Sequence, residues 1–234
     1  ISKVEPCNGG GAIGFTVNDA DNTNNVSKGD TLSAIFSQCG QTANGVAVVV
    51  NGKFSLQLGE VSGDVDSGNG VFDVFMAMPA PGLSVGVGSG GKLVTTTVTG
   101  EMSMNLQTNA AGSVTVARSS GMDAVSSDGR TVRYANMFLV RGHAPAASSF
   151  SIDGDISANG ADFAGAYTLN MSNPATPLIF GGNRNYPDSG EMRIKANNGT
   201  LTLTAQPNAM VLLTLNSNGK TVNKSVEWCR IGNC

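Results

Sequence analysis

The segment from Tyr186 to Trp228 decides the fold of this chain, and its first strand reads Gly190-Glu-Met-Arg-Ile-Lys-Ala196. Charged residues alternate there with apolar residues, which is the period-2 pattern of a strand buried on one face. Asn197-Asn-Gly199 follows with residues that tolerate the positive φ of a tight hairpin. Thr200-Leu-Thr-Leu-Thr-Ala205 alternates again, and Met210 to Asn216 is apolar enough for a central strand. The segment therefore predicts a meander of antiparallel strands.

The same succession of strand and turn signals runs through the rest of the chain. Asn51-Gly52 is the strongest hairpin signal, and it predicts a turn within Val46 to Leu58. Pro79-Ala-Pro81 predicts the end of a strand that starts at Val71. We therefore expect an all-β fold with essentially no helix, either a hairpin-rich sandwich or a curved antiparallel sheet. Chains of this class and length commonly form one domain, here residues 1–234.

The composition agrees with a β-rich chain and excludes one class of partner. Charged residues are 13% of the sequence, about half the usual share, so the Glu, Lys and Arg that cover surface helices are scarce. The net charge is -3 and the pI is about 5.1. Lys and Arg are scattered singly, so the chain lacks the basic patch that binds phosphate. No nucleic-acid partner is predicted.

The start of the sequence and its apolar runs bear on the compartment. Numbering begins at Ile1 without an initiator methionine or an apolar signal core, which fits an exported chain whose signal has been removed. Runs such as Gly45 to Val50 are too short to span a membrane, and no transmembrane segment is predicted. The expected location is extracellular or at the cell surface, with the periplasm as the alternative.

The cysteines indicate an oxidising compartment. Their number is even, and they lack the C-x-x-C spacing of a zinc or redox site: Cys7, Cys39, Cys229 and Cys234. We predict that all four form disulfides. Three connectivities are open, of which pairing within each end of the chain, Cys7 with Cys39 and Cys229 with Cys234, is the simplest. In the loop-entropy description the first bond stabilises the fold by about 3.5–4 kcal/mol and the second by about 2 kcal/mol.

Two segments interrupt the strand pattern. Ile1 to Pro6 has little apolar content, and Asn8-Gly-Gly-Gly11 gives it freedom to move. Residues 1–11 are therefore interpreted as an N-terminal arm that adds a strand to a neighbouring subunit, with a frayed terminus as the alternative. Residues 142–149 are small, polar and Pro-containing, so they are a candidate domain boundary or a long loop.

The C-terminal segment also carries a resemblance. Its motifs are Pro187-Asp-Ser-Gly190, Asn198-Gly199, Asn218-Gly219 and a final Trp228. They are similar to the closing segment of uncharacterised β-rich exported proteins and lipoproteins of proteobacteria, in which a Pro-x-Ser-Gly strand, a hairpin and a strand ending in Asn-Gly or Asp-Gly precede a Trp. The resemblance implies export and no activity. The Asp-rich turn frequent in that group is Asn216-Ser-Asn-Gly219 here, which speaks against a cation site at this turn.

Motifs for catalysis and cofactor binding are scarce. His143 is the only histidine, and no G-x-S-x-G elbow accompanies it, so it is interpreted as an exposed loop residue. The run from Gly86 to Gly91 resembles a phosphate-binding loop. The β-branched segment Lys92 to Thr99 follows it, however, in place of the helix that would hold a phosphate. The sequence therefore predicts no catalytic residue and no cofactor.

Pairs of aspartates at alternate positions are the remaining candidates for a metal site. They are Asp19 with Asp21, Asp64 with Asp66, and Asp153 with Asp155. Alternate side chains of an extended segment point the same way, so each pair can contact a calcium ion. None completes the twelve-residue calcium loop, which needs further oxygen ligands, a glycine and a terminal glutamate. Polar turns are the preferred interpretation, and no metal ligand is predicted.

Two classes of function remain. The low charge, the missing catalytic constellation and the glycine-hinged arm favour an exported structural protein, a subunit of an extracellular filament, sheath or surface layer that self-associates through β-strand contacts. The alternative is a periplasmic or surface module that binds a lipid or a saccharide. The chain is not expected to be an enzyme.

Overall fold

The computed structural model describes residues 2–43, 45–64, 69–89, 92–160, 167–173, 176–182 and 184–231, which form one open antiparallel sheet. Its fifteen strands are β1 (Ser2–Pro6), β2 (Ala12–Asn18), β3 (Thr31–Ala43), β4 (Val46–Asp64), β5 (Asn69–Ser89), β6 (Lys92–Asn109), β7 (Gly112–Ser126), β8 (Thr131–Ala144), β9 (Ala147–Asn159), β10 (Tyr167–Ser172), β11 (Leu178–Gly181), β12 (Glu191–Ala196), β13 (Gly199–Gln206), β14 (Met210–Ser217) and β15 (Lys220–Glu227). Only a single 3-10 turn, Trp228–Arg230, is helical among these residues. The predicted all-β fold with essentially no helix is confirmed.

The strands are ordered in the sheet as they are in the chain. The one exception is beside β9, where β10 pairs with one half of that strand and β11 with the other half. β12 then pairs with β10, so the path from β1 to β15 has fourteen strand positions. The tight turns read from the C-terminal segment connect β12, β13, β14 and β15, as the alternation predicted.

The two faces of the sheet differ in polarity. Residues directly opposite each other on neighbouring strands share a face. One row on the polar face crosses every strand position: Ser2, Thr16, Ser33, Ser55, Ala77, Glu101, Gly121, Ala135, Asp155, Asn170, Lys195, Thr200, Asn216 and Thr221. A row on the apolar face is Leu58, Val74, Met104, Ala117, Leu139 and Ile152. The period-2 patterns therefore give one apolar and one polar face.

A line of irregularities crosses the long strands. The register shifts between β3 and β4, between β4 and β5, between β5 and β6, between β6 and β7, and between β8 and β9. Glycines with positive φ lie along this line, among them Gly52 (φ 111°), Gly82 (φ 101°) and Gly100 (φ 127°). Because a bulge bends its strand and increases its twist, the aligned bulges bend the sheet along one line.

The predictions for two segments on this line are wrong. Asn51-Gly52 is not a hairpin turn: β4 runs through it, and Gly52 uses its positive φ in the bulge against β5. Pro79-Ala-Pro81 does not end a strand, since β5 continues through these residues at the bulge against β6. Glycine and proline break the local pattern in both cases, but neighbouring strands keep the chain extended.

The candidate boundary at residues 142–149 lies inside the sheet. β8 ends at Ala144 and β9 starts at Ala147, so a tight turn connects two paired strands there. The hydrogen-bonded ladder continues from one strand to the other, with His143 opposite Ser148. The segment is thus a hairpin and neither a long loop nor a break in the sheet.

The core is small for a chain of this length. The buried apolar side chains all lie on the apolar face: Ala34, Met78, Leu178, Leu203 and Val211. The accessible surface is 13930 Å². A compact monomer of this mass would expose about 9,900 Å². Most of the apolar face is therefore only partly shielded from solvent.

Candidate functional site

The N-terminal segment is fixed to its own chain. β1 pairs with β2 along its whole length, so the predicted freedom of an arm over residues 1–11 is wrong for the described residues. The glycines of Asn8-Gly-Gly-Gly11 permit close backbone approach: Gly9 N–H donates to Gly40 O at 2.7 Å, and Gly40 N–H donates to Gly10 O at 2.8 Å. A side chain at Gly9 would overlap the Gly40 carbonyl group. The glycine run is a docking surface for β3.

The Cys7–Cys39 disulfide strengthens this attachment. Cys7 and Cys39 are joined, so the simplest predicted pairing at this end of the chain is confirmed. The bond ties the β1–β2 turn to β3. Cys229 is disulfide-bonded as well, whereas Cys234 lies outside the described residues.

One of the predicted aspartate pairs belongs to a cluster. Carboxylate oxygens of Asp19, Asp21 and Asp30 lie within 4.8 Å of one another in the loop between β2 and β3. Asp30, which the sequence reading missed, is 9% exposed and accepts hydrogen bonds from Ala20 N–H at 2.9 Å and Ser27 N–H at 2.8 Å. These N–H groups, opposed by desolvation, hold the pKa of Asp30 below its usual value.

The backbone already satisfies most of this cluster. Asp19 Oδ2 accepts from Asn24 N–H at 2.7 Å, and Asp21 Oδ1 accepts from the Thr23 hydroxyl at 2.8 Å. The Thr23 hydroxyl is the largest cause of the lowered pKa of Asp21. Only Asp19 Oδ1 is buried without a partner here. The hydrogen bonds of these carboxylates hold the loop between β2 and β3 in place.

The other two aspartate pairs do not form such a cluster. Asp66 and the side chain of Asp64 lie outside the described residues. Asp155 accepts hydrogen bonds from the side-chain amides of Asn170 at 3.2 Å and Asn136 at 3.4 Å. Asp153 faces Phe138 across the strand pair. Asparagine amides bond to Asp155, and no third carboxylate joins this pair among the described residues.

His143 lies in the β8–β9 hairpin and not in a loop as expected. Its Nδ1 is 2.9 Å from Ser148 Oγ, directly across the two strands. A cavity of about 310 Å³ adjoins the pair. In the described part of the chain, no carboxylate forms a hydrogen bond with the ring, so the pair lacks the orienting group that activates a serine nucleophile. The contact is an ordinary cross-strand hydrogen bond.

The first free edge of the sheet is that of β1. In an antiparallel ladder, hydrogen-bonded pairs alternate with non-hydrogen-bonded pairs. Cys7 N–H donates to Gly11 O at 3.1 Å just beyond β1, so Glu5 lies in a hydrogen-bonded pair with β2. The backbone groups of Val4 therefore point away from β2. Pro6, which has no N–H to donate, occupies a non-hydrogen-bonded pair, as this alternation requires.

The second free edge is that of β15. Trp228 N–H donates to Ala209 O at 3.0 Å at the end of the strand, so Val226 forms a hydrogen-bonded pair with β14. The backbone N–H and C=O of Ser225 consequently point outward. Among the described residues, β1 and β15 each pair with one neighbouring strand only.

Both edge strands carry charge on the apolar face. In β1, Lys3 and Glu5 lie on that face and form an ion pair, and the Glu5 carboxylate raises the pKa of Lys3. In β15, Lys224 lies opposite Leu213 on the same face. Charged side chains on the inward face of an edge strand restrict which strands can join it. The charges at the two edges therefore limit pairing to strands with complementary side chains.

Large apolar side chains are half-exposed on both faces of the sheet: Ile35, Phe75 and Phe138 lie on the polar face, and others lie on the apolar face between the two edges. Several large side chains of the apolar face are between 37% and 60% exposed: Val46, Val87, Val94, Tyr134, Leu215 and Val222. Solvent-exposed apolar areas of more than a few hundred Å² mark interaction sites in soluble monomers. The two edges and the apolar face are the candidate functional surfaces. The sequence patterns located none of the three.

Comparison with known proteins adds no relative. No family model matches the chain, and no curated protein or solved structure is significantly similar to it. In the described part of the chain, no helix is long and apolar enough to cross a membrane. The function must therefore be inferred from the geometry.

Proposed function

We propose that this chain is a non-catalytic structural subunit of an extracellular filament, sheath or surface layer, and that copies associate through their sheets. The observation that carries the proposal is the uncovered apolar face. Its half-exposed valines and leucines lie in a sheet without a second layer to shield them. Burial of apolar surface is the dominant driving force of protein association.

The amount of exposed surface favours a second copy as the cover. The accessible surface of 13930 Å² exceeds that of a compact chain by about 4,000 Å². Obligate homodimers bury about 2,000–5,000 Å² in total. A small-molecule site has a volume of about 300–1,000 Å³ and shields far less surface. The excess thus has the scale of a subunit interface.

The Cys7–Cys39 disulfide supports the extracellular part of the proposal. Disulfides persist in oxidising compartments and are rare in the cytosol. A bond that fixes an edge strand is also suited to a subunit that must keep its shape outside the cell. Because the bond lies beside β1, the integrity of this free edge depends on an oxidising compartment.

Sedimentation velocity over a range of concentrations tests the proposal. Val94 and Leu93 are adjacent in β6 and both 40% exposed, but Val94 lies on the apolar face and Leu93 on the polar face. Val94→Asp should weaken association about tenfold or more, because a carboxylate in an apolar interface loses its water. Leu93→Asp, the matched control, should assemble like the parent chain.

Two results would overturn self-association. The first is a parent chain that stays monomeric at every concentration. The second is a monomer that carries stoichiometric lipid or saccharide when native material is extracted and analysed by mass spectrometry, which would establish the binding-module function. Circular dichroism of both variants checks that each retains the strand content of the parent.

A further inference from the structure

We infer that copies of this chain join head to tail, with the free edge of β15 pairing with the free edge of β1 in the next copy. The inference rests on the proposed function and specifies one interface within it. Strand direction, backbone polarity and side-chain charge at the two edges are each compatible with this joint.

Strand direction is the first condition. Neighbouring positions of the sheet alternate in direction, and the path has fourteen positions. Because this number is even, β1 and β15 run in opposite directions. A second copy placed beside the first without being turned over brings its β1 antiparallel to β15, and the apolar faces of both copies stay on the same side. An odd number would have produced a parallel joint.

Backbone polarity is the second condition. The outward-pointing groups belong to Val4 in β1 and to Ser225 in β15. Both residues lie on the polar face, in the alternation set by Ser2 and Thr221 of the polar row. A joint that aligns the faces therefore also sets outward N–H groups opposite outward C=O groups. If the two residues lay on different faces, aligned faces would bring non-bonding backbone positions together.

Side-chain charge selects the register. With Val4 opposite Ser225, Glu5 of one copy lies opposite Lys224 of the other, and both are on the apolar face. Opposite charges directly across a strand pair stabilise it, and like charges destabilise it. A joint between two β15 edges with aligned faces gives Lys224 no opposite charge, because Glu227 lies on the polar face. Head-to-tail pairing is thus favoured over tail-to-tail pairing.

The joint is short, since β1 spans Ser2–Pro6 and Pro6 offers no N–H. A few backbone hydrogen bonds form, each with a modest net contribution. The edge therefore sets direction and register, while burial of the apolar face supplies most of the association energy. A head-to-tail joint is heterologous, so it allows continued growth unless the rotation between copies closes a ring.

Charge reversal tests the register. Glu5→Lys and Lys224→Glu should each weaken association about two- to fivefold, the scale of an exposed ion pair. The double variant, in which the charges are exchanged, should associate more tightly than either single variant in sedimentation experiments, although Glu5→Lys also removes the ion pair with Lys3. Double-swap rescue requires the two residues to face each other, which a general loss of stability would not produce.

Backbone substitution tests the edge itself. Ser225→Pro removes an outward N–H without touching the ladder to β14, and it should weaken association about three- to tenfold. Ser225→Ala keeps the N–H but loses the hydroxyl contact with Gln206, so it controls for that contact. If the proline variant and both charge variants assemble like the parent, the joint is wrong. Val94→Asp distinguishes the two failures. If only the joint is wrong, this apolar-face variant still weakens association; if the proposed function is wrong, it does not.

Discussion

Asp30 shows how one side chain organises a loop. It is nearly buried, yet it is ionised because the N–H groups of Ala20 and Ser27 and the Ser27 hydroxyl surround its carboxylate. Its own backbone also bonds to β4, since Leu58 N–H donates to Asp30 O at 2.8 Å. Asp30 therefore joins the polar segment between β2 and β3 to the sheet, through its carboxylate within the loop and its backbone to β4.

The lowered pKa of Asp30 predicts a pH dependence of stability. The folded pKa lies below the unfolded value of about 3.9, so the stabilisation is fully present above that pH and is lost as the pH falls through the folded pKa. Asp30→Asn removes this titration. Urea unfolding between pH 7 and acid should show a smaller acid loss for the variant than for the parent.

The neighbouring carboxylates limit how much of the acid-dependent loss of stability Asp30→Asn can remove. Asp21 also has a lowered pKa, and its negative charge slightly opposes ionisation of Asp30. Asp30→Asn should therefore reduce the acid loss without abolishing it. An identical pH profile for parent and variant would show that the loop contributes nothing to the cooperative unfolding.

The line of bulges is the main feature at the scale of the elements. β4, β5 and β6 are among the longest strands, and each continues through a bulge. Positive-φ glycines allow neighbouring backbones to approach each other along this line, as where Gly82 leaves no room for a Cβ beside Val98 O. Residues that favour turns bend the sheet at these positions and do not reverse the chain.

Gly52→Ala should destabilise the fold by about 2–4 kcal/mol, since its Cβ would overlap the Gly82 carbonyl oxygen at a positive φ. Gly219→Ala is the matched control, because Gly219 has φ 73° but open space around it. The control should cost about 1 kcal/mol, from the backbone conformation alone. Denaturant unfolding measures both, and equal losses would show that the close approach at Gly52 relaxes freely.

At the scale of the whole molecule, the sheet is large and its core is thin. Fifteen strands are hydrogen-bonded in one layer, while Val211 is the only large side chain among the described residues that is fully buried. Hydrogen bonds alone contribute little net stability, so an isolated copy depends on a small apolar core. Association and folding stability should be coupled in such a molecule.

Thermal unfolding should therefore depend on protein concentration. A partner that binds only the folded chain raises its stability by mass action, so the melting temperature should rise by about 2–5 °C for each tenfold increase in concentration. Differential scanning calorimetry of parent and Val94→Asp measures this. The variant should melt at a temperature that changes less with concentration, and a parent melting point independent of concentration would contradict the coupling.

The sequence predicted the features that depend on local periodicity and composition. Alternation in segments such as Gly190 to Ala196 determined strand type and the polarity of the two faces, because side chains of a strand point alternately to opposite sides. The predicted turn at Asn218-Gly219 formed with both residues at positive φ, and Asn208 has positive φ in the turn before it. The Cys7–Cys39 bond followed from an even cysteine count and the simplest pairing, and the sequence placed Asp19 and Asp21 in a polar loop without including Asp30.

Tertiary structure decided how these segments are joined. Asn51-Gly52 has the local chemistry of a turn, but pairing with β3 and β5 on both sides keeps the chain extended and makes the glycine a bulge. The arm predicted over residues 1–6 has little apolar content, but backbone pairing with β2 and contacts of Gly9 with Gly40 hold residues 2–6. The free edges depend on strand number and hydrogen-bond alternation across the whole sheet. Such long-range pairing leaves no local signal, because it is fixed by neighbours distant in the chain.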